Sequence, residues 1–296
     1  MECNGIVNID KPEGITSHTA VSKVRRFLNT KKVGHSGTLD PMATGVLPIM
    51  IGSAVKASEW LVGHDKRYIA GIKLGIETDS EDTSGSITSS FSGTLPDFEE
   101  FRAVAESFTG RIMQTPPMYS AIKKDGQKLV DLARKGIVVE RSPRQTEIYS
   151  INAFIEKSGL FLEVFCSKGT YIRTLCADIG KRLGCGAAMS SLRRTQAGFF
   201  HISDSIGLDD FLQTSSDKVL SLIKPVEGVF YSYSIITLPP FFERLFRNGA
   251  PIFLHKIGQG AEEGVLYRIY GAEGFFAVGE VKIIDGKKAV KVKKFF

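Results

Sequence analysis

No CxxC pair occurs anywhere in these 296 residues. The four cysteines, Cys3, Cys166, Cys176 and Cys185, stand apart, and the five histidines are scattered. The short-spaced ligand pairs of a zinc site are therefore lacking, and reduced, mostly buried thiols in a cytosolic protein are expected. The opening MECNGIVNIDKPEG has no basic segment followed by an apolar run, so it does not read as a signal peptide. The longest apolar stretches, such as VLPIMIG at 46–52, are far too short to cross a bilayer. No dinucleotide fingerprint, P-loop or metal cluster is present, so neither a cofactor nor a metal is expected.

The excess of positive charge is small. Lys and Arg total 38 against 32 Asp and Glu, a net +6 with a pI near 9.0. That suits a protein that meets a polyanion, but many proteins without such a partner share it. The length fits one large domain plus one small one. Hydrophobic residues make up 43%, enough for a core that needs no staples.

Local patterns place the elements. GIVNID at 5–10 reads as a strand stopped by Lys11-Pro12, and Thr16 or Ser17 can cap a helix running to about Leu28. The segment KKVGHSGTLDPMATG, 31–45, is rich in Gly and Pro and reads as a loop with unusual backbone. A strand over 46–52 and a helix over 53–62 follow. RYIAGIKLG, 67–75, alternates as a strand should. The acidic ETDSEDTSG, 77–85, is expected to be a solvent loop. Phe98, Phe101, Val104 and Phe108 mark a helix, and 114–127 reads as an extended Pro-rich loop before a basic helix. Strands near 146–156 and 160–167 lead into a helix from Tyr171 to Leu183. The elements alternate without a regular βαβ rhythm, so a mixed sheet is expected. A boundary falls near 230–236, beyond which one short helix and several strands follow. Lysines 282, 287, 288, 291, 293 and 294 crowd into the last strands, where alternation with apolar Val281, Ile283, Val290 and Val292 would put one face in a core and the lysines on the other. They either guard an edge strand or form a phosphate-contacting face.

Asp40 stands out through its setting: Gly34 and Gly37 before it, Pro41 after it, Gly45 closing the loop. Its carboxylate can be a reactive group held in a fixed pose, or it can hydrogen-bond turn amides. An aspartyl-phosphate reading needs a second Asp shortly after the nucleophile, and Pro41 and Met42 stand there instead. His35 can be a general base, a wedge beside a nucleobase, or neither. Tyr68 can be a plain core tyrosine. Arg173 opens a helix, where the dipole disfavours a cation, so pairing with an acid is expected.

GHSGTLDPMATGVLP at 34–48 resembles the catalytic block of TruB-type pseudouridine synthases. GIVNIDKPEGITSH, DKRYIAGIKLG, PPMYSAIKKDGQKL, CSKGTYIRTLCADIGKRLGCGA and SLRRTQAGFF follow in the family's order. The resemblance is strong over about 5–200 and weaker to 296, where the tail resembles a small RNA-binding PUA-type domain. It implies an α+β fold with a mixed, largely antiparallel sheet, a catalytic domain over 1–233 and a PUA-like domain over 234–296. It implies Asp40 as the catalytic carboxylate, Tyr68 over the target base and a candidate proton acceptor, and Arg173 as the partner of Asp40. His35, Tyr171 and Leu192 would line or support the pocket, Lys56 would contact RNA, and about 116–144 would clamp it.

The expected substrate is the T-arm stem-loop of tRNA, isomerised at the uridine of position 55. No protein partner is expected to be required, and a cytoplasmic monomer is expected. Guided relatives working inside RNA–protein particles resemble the block too, but differ after the Asp-Pro. The alternative is an RNA-binding tRNA-folding factor whose catalysis is incidental.

Overall fold

The computed structural model describes residues 4–120 and 122–296. Cys3 lies outside them, while Cys166, Cys176 and Cys185 are free and buried. Strand Gly5–Lys11 pairs antiparallel with Thr44–Ile51, and nearly every residue of both is buried. A strand covered on both faces reads as a continuous apolar run rather than an alternation, as VLPIMI does. Strand Lys66–Leu74 does alternate, with Tyr68, Ala70, Ile72 and Leu74 facing the core.

These strands belong to one ten-stranded sheet. Its central order is Gly5–Lys11, Thr44–Ile51, Ala187–Ala197, Lys66–Leu74, Gly159–Cys166, Arg144–Glu156 and Gly110–Gln114. Pairing is antiparallel except between Gly5–Lys11 and Ile206–Gly207, and between Ala187–Ala197 and Thr44–Ile51. The sheet is thus mixed, as the irregular rhythm implied, and largely antiparallel, as the resemblance implied.

Three helices cover one face. Ser17–Phe27 is capped by Thr16, whose side chain accepts from Thr19 N–H. Phe98–Glu106 begins with a capping box of Asp97 and Glu100. Ile172–Leu183 ends at Gly184, in the left-handed conformation that glycine tolerates. Val21, Val24, Phe101, Ala105, Leu175 and Ile179 fill the core between these helices and the sheet.

The chain enters a second, five-stranded sheet at Ile235, and helix Pro240–Arg247 packs within that unit. The unit docks on the far side of the first sheet through an aromatic cluster. Phe230 is fully buried, with Trp60, Phe275 and Phe296 at ring distances of 5.2, 5.8 and 5.2 Å.

Three expectations need correction. The 77–85 segment is not a solvent loop: Ile76–Thr78 pairs with Ile87–Ser90, and Thr78, Ser80 and Asp82 are buried. Their polar atoms satisfy one another, since Asp82 Oδ1 accepts from Ser80 Oγ at 2.8 Å and from Ser84 N–H at 3.0 Å. The 114–127 loop contains a small hairpin, Lys123–Lys124 with Gln127–Lys128, turned by Asp125-Gly126 with φ of 51° and 81°. The tail lysines alternate with apolar residues only in part: Val290 to Lys293 do, but Ala289 and Val290 are both buried and Ile283 is exposed.

Candidate active site

The Asp40 loop is clamped at both ends. Ser17 Oγ donates to the Leu39 carbonyl at 3.0 Å and accepts from Leu39 N–H at 2.7 Å. Gly14 N–H and Lys11 Nζ both donate to the Pro41 carbonyl, and Ala43 N–H donates to the carbonyl of Asp40 itself. Gly45, at φ 101°, then lets the chain run against strand Ala187–Ala197. A Cβ there would stand 2.2 Å from the Arg194 carbonyl oxygen. The loop's backbone is held by others, which leaves the Asp40 side chain free to face elsewhere.

It faces Arg173. Arg173 Nε lies 3.0 Å from Asp40 Oδ2, and Arg173 Nη1 lies 3.7 Å from Asp82 Oδ2. The same guanidinium donates to the carbonyls of Ser80 at 3.0 Å and Tyr119 at 2.7 Å. Arg173 is buried in the first turn of its helix, so two carboxylates and two carbonyls replace the water it has lost. Gln114 fixes that helix start: its amide donates to the Tyr171 carbonyl and accepts from Tyr171 N–H.

A cleft of about 590 Å³ opens over this pair. Asp40, Tyr68, Tyr171, Arg173, Leu192 and Arg194 line it together with Lys66, and Pro116, Tyr119, Ser120 and Ile122 form part of its wall. The strand register explains the grouping. Arg194 lies opposite Tyr68 and Leu192 opposite Ala70, so these side chains emerge on one face.

Burial dominates the electrostatics. It pushes the Asp40 carboxyl above the ordinary carboxylate range, with Asp82 adding to it, while Arg173 and Lys11 pull the other way. Burial also raises the Tyr68 phenol, against the pull of the Arg194 guanidinium, so the phenol is neutral at neutral pH.

The remaining expected residues lie elsewhere. His35 ends the short strand Val33–His35 and is not in the lining; its Nδ1 accepts from Gly37 N–H at 3.2 Å. Burial holds its imidazole below the usual histidine range. Lys56 stands in the turn Gly52–Ala57 and donates to the Phe295 carbonyl at 3.0 Å, tying the two sheets together rather than reaching the cleft. Sequence reasoning missed Asp82, Gln114, Lys66 and Arg194. Arg194 and Lys66 carried a signal, since they lie inside the quoted SLRRTQAGFF and DKRYIAGIKLG blocks; Asp82 and Gln114 are set by pairings remote in sequence.

The chain matches two family models: TruB family pseudouridylate synthase (N terminal domain) over residues 25–172, and the tRNA pseudouridylate synthase B C-terminal domain over 173–230. The chain belongs to the TruB family of pseudouridylate synthases. Among its TruB relatives, the tRNA pseudouridine synthase B of Alkaliphilus oremlandii is 50% identical over 294 residues, 98% of this chain and 97% of that protein. That of Clostridium tetani is 40% identical over 290 residues, covering 98% and 99%. An H/ACA RNP bound to a substrate RNA containing 2′-deoxyuridine holds a chain that superposes with a TM-score of 0.71 at 26% identity. It covers 99% of this chain and 84% of that one. The fold is that of TruB pseudouridine synthases, an enzyme family, with a small C-terminal β-rich, PUA-like domain. No helix among the described residues is long and apolar enough to cross a membrane.

Proposed function

We propose that this TruB enzyme isomerises the T-loop uridine of tRNA, position 55, to pseudouridine, with Asp40 as the catalytic carboxylate. The observation that carries the reading is the Asp40–Arg173 pair at the floor of a cleft walled by Tyr68. The tRNA substrate is supported by relatives of 40 and 50% identity named for that activity. The catalytic unit is taken as 1–233, the RNA-binding PUA-like unit as 234–296, and 116–144 as the RNA clamp.

The reaction breaks the N1–C1′ bond, turns the uracil and joins C5 to C1′; C5 gives up a proton and N1 gains one. Asp40 can add to the sugar, add to the base, or take a sugar proton, and each route requires its ionised form. Arg173 favours that form against the burial that opposes it. The target base is inaccessible in a stacked loop and must flip out, at a cost of a few kcal/mol. Stacking on Tyr68 would return about 1–3 kcal/mol and keep the freed uracil in place. Tyr68 is also the candidate acceptor for the C5 proton: its phenol would first give its own proton to N1, and the resulting phenolate, favoured by Arg194, would take the proton from C5. His35, beside the lining residues Ser36 and Gly37, is the candidate to fill the gap left by the flipped base. Tyr171 and Leu192 would confine the uracil. Lys56 would meet RNA only at the seam between the two sheets.

Mass spectrometry of unmodified tRNA after incubation with the enzyme tests the reading. One pseudouridine is expected at position 55, and none in a transcript carrying cytidine there. Silence on every tRNA offered would favour the folding-factor alternative.

A further inference from the structure

Cations outnumber carboxylates in and beside the cleft. Lys11, Lys66, Arg173 and Arg194 are all buried, against Asp40 and Asp82. Arg173 takes both carboxylates, and Lys11 sits close enough to Asp40 to be influenced by it. Lys66 and Arg194 are left over. Lys66 Nζ donates to the carbonyls of Val62, at 3.1 Å, and His64. Arg194 donates to the carbonyls of Val46 at 2.7 Å and Gly37 at 3.1 Å. Among the described residues neither meets a carboxylate at ion-pair distance.

A buried charge without a counter-charge is costly, and such groups are ordinarily paired. Cys166, opposite Lys66 in the sheet, supplies no anion, because burial pushes its thiol up to about 12. Both cations line the cleft. Lys66 and Tyr68 are two apart on one strand, and Arg194 lies opposite Tyr68, so the three emerge side by side. A nucleotide whose base lies against Tyr68 carries its phosphates within reach of these neighbours.

We propose that Lys66 and Arg194 form the seat for a phosphodiester flanking the flipped uridine, so that the missing counter-charge is supplied by the RNA. The seat rests on the RNA reading above. It gives the cleft a contact that fixes where the backbone sits and carries no base information. Free of RNA, Lys66 titrates near 8, lowered first by burial and then by Arg194, with Lys168 adding to it and Asp65 and Cys166 opposing. Binding of an anion favours the ammonium, so RNA affinity should weaken as pH rises through that value.

The test uses T-arm stem-loops carrying one uncharged methylphosphonate at a time on either side of the target uridine. Equilibrium binding is measured with wild type and with Lys66→Met. In wild type, one modified linkage should weaken binding roughly tenfold. Lys66→Met should weaken the unmodified RNA by a similar factor and lower the salt slope by about 1. It should also respond less to that same linkage. Loss of the Val62 and His64 contacts alone would lower the melting temperature and leave the response to the linkage intact. An equal response in both proteins, or a wild type indifferent to every linkage, overturns the seat. A wild type that makes no pseudouridine from the unmodified stem-loop instead overturns the RNA reading on which the seat stands.

Discussion

The cleft and the C-terminal unit both carry positive charge, but they hold it in opposite ways. In the cleft, Lys66 and Arg194 are buried, donate to backbone carbonyls and form no ion pair among the described residues. In the tail, the lysines are mostly exposed and already partnered. Lys282 and Lys293 lie 3.4 and 3.5 Å from Glu280, Lys294 lies 3.2 Å from Glu59, and Lys288 donates to the Ala261 carbonyl. A crowded run of lysines in the sequence thus leaves only Lys287 and Lys291 of the six without a partner among the described residues. The difference teaches that charge density along a chain is a weak guide to where a polyanion is gripped. Burial without a counter-charge is the stronger guide.

Breaking the cleft's side of this comparison should have the largest effect. Asp40→Asn keeps shape and removes the charge. Single-turnover pseudouridine formation should fall on the order of a thousandfold or more, while tRNA still binds. Substantial residual turnover would remove Asp40 from the mechanism. Arg173→Lys keeps charge but loses the planar fork that reaches Asp40, Asp82 and two carbonyls together. A loss of roughly a hundredfold in rate, with near-normal affinity, is expected. Unchanged turnover would mean that Arg173 is not the working partner of Asp40.

Asp82 offers a finer cut. Burial holds the Asp40 carboxyl above its ordinary range and Asp82 adds to it, so Asp40 protonates, and activity falls, as pH drops through that raised value. Asp82→Asn removes a like charge and leaves Arg173 with one carboxylate. Both changes lower the Asp40 pKa, so the acid limb of the rate profile should move to lower pH. A limb that stays in place, or moves upward, would show that Asp82 does not set the state of Asp40.

Much of this was legible in the sequence, for local reasons. Thr16 capping Ser17–Phe27, the alternation in Lys66–Leu74 and the glycines around Asp40 are short-range signals. What was not legible depends on partners far away in the chain. Asp82 sits in a polar run that reads as solvent-exposed, and only Ser80, Ser84 and Arg173 make its burial tolerable. Arg194 reads as an ordinary strand charge until the register sets it opposite Tyr68, two residues along from Lys66. The Asp125-Gly126 turn was a readable hairpin signal, hidden by a loop reading that rested on Pro116 and Pro117.

The smallest effect is expected in the tail, and the structure narrows how it can be tested. Deleting 234–296 would strip Phe275, Val278 and Phe296 from Trp60, Phe230 and their neighbours, so it would damage the first sheet along with any RNA contact. Charge substitution avoids that. If the tail touches phosphate, Lys287 and Lys291 are the groups free to do it. Lys287→Gln with Lys291→Gln should then reduce the slope of log affinity against log salt by at most about 2, since each released phosphate contact contributes about 0.9. Rate at saturating tRNA should not change. Lys282→Gln with Lys293→Gln is the matched control. Both lysines already face Glu280, so their removal should shift the slope less than the first pair does. Equal shifts from the two pairs would show that RNA displaces the Glu280 contacts, and that pre-pairing does not silence a surface lysine. No shift from either would leave these lysines as solvated surface charges, since neither of their two strands is an end strand of the five-stranded sheet.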